Sequence, residues 1–244
     1  ILYIIYNVKM SVGMIILFIV LFILVIYILS KFFGEQQTLN DFNNANEQVI
    51  ISADKVPAGD GTNDFTYSIW VYITDWEVKY GQEKTIFSRS GLETQGIVHS
   101  PTVTLGETAN TLKVKMSVMP ENTGGQNVFE CGIKNVPLQR WANITISVSG
   151  RALDIYLNGK LVKTCVMNGM PNVKTDAPIL LTPFGGFAGY TSQFKYFPSS
   201  INPQQAWNIY TKGPGGSVLG NLLNQYKLKF VFLKDDREQY SFAI

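Results

Sequence analysis

Histidine is almost absent from this sequence: His99 is the single one in 244 residues. That excludes a zinc site built from several histidines, and it excludes a Ser-His-Asp triad resting on any other histidine. His99 itself stands in Val98-His99-Ser100-Pro101 with no G-x-S-x-G nucleophile turn beside it, so it reads as an ordinary surface or edge residue. Excess charge is lacking as well. Of 20 basic residues, Lys9 and Lys31 flank an apolar run, and the other 18 balance 18 acidic residues that all follow it. A neutral body offers no basic face for a phosphate backbone, and no nucleic-acid partner is expected. A repeat of fixed period is also missing, which excludes propellers and solenoids.

What is present begins with that apolar run. Met14 to Leu29 reads MIILFIVLFILVIYIL, without charge, proline or glycine, and Val12 and Gly13 extend it. As a helix, Val12 to Leu29 is roughly 27 Å long, close to the hydrocarbon thickness of a bilayer. The expectation is a transmembrane helix at about residues 12–29 within an N-terminal segment 1–33, making the chain a single-pass membrane protein with lipid as one partner. A signal peptide fits less well, because no small-residue cleavage site follows. With one lysine on each side, orientation stays open.

Residues 34–46 (GEQQTLNDFNNAN) are polar and read as a linker. From residue 47 to 244 the dominant pattern is period-two alternation, the mark of strands lying on a core. In Phe65–Ile73 the odd positions put Phe, Tyr, Ile, Val and Ile on one face. Further strands are expected at Gln48–Ala53, Thr85–Arg89, Val98–Leu105, Leu112–Met119, Asn127–Ile133, Trp141–Val148, Leu153–Asn158, Leu161–Met167, Ile179–Thr182 and Gly189–Phe197. Asn158-Gly159 between alternating segments predicts a tight hairpin, since both residues must tolerate positive φ. Asn202-Pro203 starts a short helix that stops at Gly213-Pro214. A second helix is expected at Val218–Tyr226, and a closing strand at Lys227–Leu233.

Four blocks, Phe65–Trp76, Thr85–Arg89, Arg140–Lys163 and Gly185–Tyr210, together resemble the concanavalin A-like lectin/glucanase superfamily in its laminin G-like form. The resemblance implies an all-β fold, a jelly-roll sandwich of two antiparallel sheets. Glu130-Cys131, Asn135–Trp141, Lys163–Cys165 and Asn202–Ala206 with Asn208–Tyr210, together with the anchor, are similar to laminin G-like proteins of large nucleocytoplasmic DNA viruses, including those of algae. That similarity implies a minor capsid protein at the virion's internal membrane, docked on capsid or neighbouring virion proteins. Glycan binding is the alternative.

Glucanases of this superfamily carry paired carboxylates in a Glu-x-Asp-x-(x)-Glu arrangement, because one acid attacks while another donates a proton. No such run occurs, and Asp235-Asp236-Arg237-Glu238 reads as a solvated charge cluster, so no enzyme activity is expected. Some members bind calcium, but the sequence names no ligands for it. The contexts of Cys131 and Cys165 match the viral family's paired cysteines, which implies a disulfide; two buried thiols are the alternative. Asn143-Ile144-Thr145 is the one glycosylation sequon. Asn143 points away from Ile144 and Ile146 along its strand, toward an exposed face, although an unmodified asparagine is favoured. Most aromatic residues are assigned to the core. Trp76 and Tyr80, in the polar loop Thr74–Gly81, are the expected contact surface.

Overall fold

The computed structural model describes residues 37–59, 62–93, 96–119, 127–215, 229–234 and 237–243, with Leu17, Val20, Leu21, Phe22 and Leu24. Those five isolated residues are helical and exposed. The rest of the expected span at 12–29 lies outside the described residues, as does the helix expected at Val218–Tyr226. Among the described residues no helix is long and apolar enough to cross a membrane.

Two antiparallel sheets form the body. The six-stranded sheet runs β1 (Gln37–Asn44), β13 (Ala188–Phe197), β3 (Phe65–Asp75), β8 (Trp141–Ser149), β9 (Ala152–Leu157), β10 (Lys160–Val166). The seven-stranded sheet runs β11 (Met170–Pro171), β6 (Leu112–Met119), β5 (Gly96–Leu105), β4 (Lys84–Glu93), β12 (Ile179–Leu181), β2 (Val49–Ile51), with β7 (Asn127–Ile133) paired to β6. The alternation explains the layers. Phe65, Tyr67, Ile69, Val71 and Ile73 of β3 are buried beside Ala142, Ile144, Ile146 and Val148 of β8. From the other sheet, Val103, Leu105, Leu112, Val114, Met116 and Val118 join them in one core. Arg89 is buried too, donating from Nε to the Ala177 carbonyl at 3.1 Å and from Nη2 to the Thr175 carbonyl at 2.6 Å. It thereby pins the loop before β12, because a buried guanidinium must place its donors on acceptors.

Two expectations change. Residues 37–44 are not linker but edge strand β1, hydrogen-bonded to β13, with Leu39 packed against the core. Its Asn and Gln residues hid the strand, since an edge strand open to water needs few apolar positions. The closing strand is β14 (Lys229–Lys234), which pairs with β15 (Arg237–Ala243) in a separate two-stranded sheet rather than with the sandwich.

Among the described residues one helix follows the sandwich strands, Pro203–Thr211. Asn202 Oδ1 accepts from the Gln205 amide at 2.9 Å, and Gln205 Oε1 accepts from the Asn202 amide at 2.8 Å. These reciprocal bonds satisfy donors that a helix start leaves unpaired.

Candidate functional site

The outer face of the six-stranded sheet is divided by that helix. Strands β3 and β8 carry a buried polar row on that face. Asn143 Nδ2 donates to Ser68 Oγ at 3.1 Å, Thr145 Oγ1 donates to Ser68 Oγ at 2.9 Å, and Thr66 Oγ1 lies 3.0 Å from Ser147 Oγ. Asn143, the sequon residue, is therefore inside the protein, with no exposed surface. Its strand does point it away from Ile144, as expected, but on that side it is enclosed among Ser68, Thr145 and Asn158. In the folded chain the sequon is closed to a glycosylating enzyme.

Ala206 and Ile209 are the helix residues buried against the sheet, and Trp207 and Tyr210, three apart, follow them on a neighbouring stripe. Tyr210 stacks on Trp70 of β3 at 5.5 Å between centroids, and Trp207 leans on Tyr210 at 5.4 Å. The Asn158-Gly159 turn sits against this pair. Gly159 has φ 72°, and a Cβ there would lie 2.8 Å from Tyr210 Cβ. Asn158 tightens the turn onto β8, its amide donating to the Asn143 carbonyl at 2.8 Å and its Oδ1 accepting from the Asn143 amide at 2.9 Å.

Between helix, turn and the β7–β8 loop opens a cleft of about 430 Å³. Trp207 and Tyr210 form one wall, Leu157 and Val162 add apolar surface, and Asn135, Asn158, Arg140 and Lys160 bring polar groups. Trp207 is 41% exposed, so much of its indole is free to meet a ligand. The lining holds two cations and no carboxylate. An aromatic wall with a few convergent polar groups is the usual composition of a small-ligand site. Here it suits an amphipathic ring with C–H faces, hydroxyl edges and a negative charge.

The outer face of the seven-stranded sheet is built differently. Thr102 Oγ1 lies 2.7 Å from Ser88 Oγ and 2.8 Å from His99 Nδ1, and Ser117 Oγ accepts from the His99 amide at 2.9 Å. Glu83 receives Lys115 at 2.7 Å and Lys113 at 3.3 Å. Burial raises the Glu83 carboxyl, but hydrogen bonds and charges from both lysines outweigh this and hold it below its ordinary value. His99 is a bonded member of this hydroxyl cluster.

Of the remaining residues singled out from sequence, Cys131 on β7 and Cys165 on β10 form a disulfide with S–S 2.06 Å, joining one edge of each sheet. Trp76 packs against the core with the Lys84 ammonium 4.5 Å above its ring, so its ring is committed within the fold. Tyr80 is 62% exposed, away from the cleft lining. Trp207 and Tyr210, not singled out from sequence among the aromatics, form the cleft wall; their spacing beside Ala206 and Ile209 was the available signal. Among the described residues no group of three or more His, Cys, Asp or Glu side chains is arranged to hold a metal ion, and no calcium ligands are assigned.

A family model described as the concanavalin A-like lectin/glucanases superfamily matches residues 43–209. No curated protein matches the chain. Among solved structures, it is similar to the botulinum neurotoxin serotype D ligand-binding domain in complex with N-acetylneuraminic acid, at 14% identity and TM-score 0.53, over 70% of this chain and 42% of that one. It is similar to the binding domain of Paraclostridial Mosquitocidal Protein 1, at 16% identity and TM-score 0.50, over 72% of this chain and 46% of that one. The receptor-binding domain of botulinum neurotoxin mosaic serotype C/D gives 14% identity and TM-score 0.52, over 72% and 43%. The chain thus spans less than half the length of each of these structures. At such identities the likeness concerns the fold.

Proposed function

The chain belongs to the concanavalin A-like lectin/glucanase superfamily, and from that membership we propose that it is a non-catalytic, lectin-like module that binds an anionic glycan in the Trp207–Tyr210 cleft. The observation that carries this reading is the cleft's composition: a wall led by the exposed Trp207, two carboxamides, and the cations Arg140 and Lys160 in a lining without a carboxylate. A pyranose stacks its C–H face on the indole, the carboxamides of Asn135 and Asn158 meet its hydroxyls, and a sugar carboxylate answers the guanidinium. Glycan binding by a similarly folded toxin domain is consistent with this use of the fold, although site chemistry and not fold decides function.

The test is a glycan array with the full chain, followed by titration of its strongest ligand. Acidic glycans should dominate, and Trp207→Ala should weaken binding at least tenfold, about 1.4 kcal/mol, as removal of a central aromatic anchor does. An array without signal would sink the reading.

A second reading joins the uncharged run Met14–Leu29, as an anchor, to the resemblance of the Cys131 and Cys165 segments to laminin G-like proteins of large DNA viruses. It makes the chain a membrane-anchored minor capsid protein of a large DNA virus, located at the virion's internal membrane, with its sandwich docked on capsid or other virion proteins. Tethering at a surface raises effective concentration, so weak contacts suffice. Localisation in intact particles tests it: a chain absent from the particle, or one whose sandwich touches no virion protein, refutes the docking role.

A further inference from the structure

Beside the cleft, the six-stranded sheet carries a line of rings that neither the core nor the helix covers. Phe42 on β1, Tyr190 on β13, Tyr72 on β3 and Trp141 on β8 stand on four adjacent strands. Tyr190, Tyr72 and Trp141 are register partners across the ladder. Their centroids succeed one another at 5.5, 6.4 and 5.6 Å. Phe42 is 61% and Tyr190 40% exposed, and Tyr72 and Trp141 are half-buried.

The line is continuous with the cleft. Trp141 follows Arg140 of the cleft lining, and Tyr72 stands two residues along β3 from Trp70, on which the cleft's Tyr210 stacks. Side chains two apart on a strand share a face, so the helix covers one row of that face and leaves the next open.

We propose that this line is an extension of the glycan site, a lane that takes successive sugars of an extended acidic oligosaccharide whose charged residue sits in the cleft. The proposal rests on the cleft being a glycan site. One ring per strand gives centroid spacings of 5.5, 6.4 and 5.6 Å, somewhat above the separation of hydrogen-bonded strands and of the order of one sugar of an extended chain. Aliphatic side chains would suit a protein partner or a lipid tail equally well, whereas a succession of aromatic rings offers faces and edges on which the C–H faces of successive sugars pack. The rings are not coplanar. Successive planes differ by 26°, 51° and 65°. Phe42 and Tyr190 are stacked and Trp141 meets Tyr72 edge-on, so the rings offer separate surfaces to a single chain and do not match the flat surface of a crystalline polysaccharide.

The test is calorimetric titration of the full chain in detergent with hyaluronan oligosaccharides of two, four, six and eight sugars, which alternate acidic and neutral residues. Affinity is expected to rise with length and level off once the lane is filled. Tyr190→Ala should lower octasaccharide affinity about tenfold and leave the disaccharide unchanged. Phe42→Ser, at an exposed edge-strand position, should act in the same direction without disturbing the core. Trp207→Ala should weaken every length. Equal affinity for all lengths, with Trp207→Ala still effective, overturns the lane and leaves the cleft standing. Binding of no length, by a chain that also fails on the glycan array, removes cleft and lane together. Lane variants that alter sedimentation of the sugar-free chain but not octasaccharide affinity would make the line a self-association face and overturn the proposal.

Discussion

The outer faces of the two sheets use their side chains in opposite ways. On the seven-stranded sheet, Ser88, Thr102 and His99 bond one another, and Glu83 is held by two lysines. On the six-stranded sheet, the equally polar row of Ser68, Asn143 and Thr145 is buried, and the next row is left as rings, Phe42 and Tyr190 exposed and Tyr72 and Trp141 half-buried. Polar groups that satisfy each other inside a fold gain little from a ligand, because each ligand bond would replace one already made. Exposed rings and a cleft whose cations have no acid among the lining residues gain from one. The proposed binding accordingly uses the six-stranded face.

The largest effect expected spares neither face. The Cys131–Cys165 bond joins edge strands of both sheets and closes a separation of 34 residues, so replacing both cysteines with serine should cost about 3–4 kcal/mol. Chemical denaturation should show this, and glycan affinity should fall as well, since β10 also carries Val162 of the cleft. Gly159→Ala should come next, at about 2 kcal/mol, because it strains a positive-φ position and drives a methyl group against Tyr210. Its signature is specific to the six-stranded face: glycan affinity should drop more than stability alone explains.

Thr102→Val should cost about 1 kcal/mol by stranding Ser88 and His99, with glycan affinity unchanged. A lost affinity there would break the distinction between the faces. The smallest effect is in pH dependence. Burial and the Lys115 charge lower the His99 pKa, against an opposing pull from Glu83, so the unfolded chain binds this proton more readily. Stability from His99 is complete above the unfolded value of about 6.5 and is lost as pH falls through the folded value; that from Glu83 is present above about 4.5 and is lost below it in the same way. Stability curves measured between pH 8 and 4 should fall toward acid, and His99→Gln should flatten their upper part.

Much of this fold was legible because a strand buried on one face writes its alternation into the chain. β6 and β7 occupy the residues expected, Leu112–Met119 and Asn127–Ile133, and the helix begins after Asn202 as its proline demanded. Strand β1 was not legible, since only Leu39 of its residues packs against the core. The candidate site was scarcely legible. Period two gives the facing of Trp141, Asn143 and Thr145 but not what lies over them, so Asn143 read as exposed and is buried. Trp76, chosen for its polar loop, is held on the core under Lys84.

By itself, the sequence determined the strand faces, the Asn-Gly turn, the helix start and the neutral charge of the body, because each depends on neighbours a few residues away. Only the tertiary structure decided which outer row the helix covers, that Trp207 and Tyr210 wall a cleft with Arg140, and that Phe42, Tyr190, Tyr72 and Trp141 fall in file. Those juxtapositions join residues from β1 to the last turn of the helix, and sheet order rather than any local pattern brings them together.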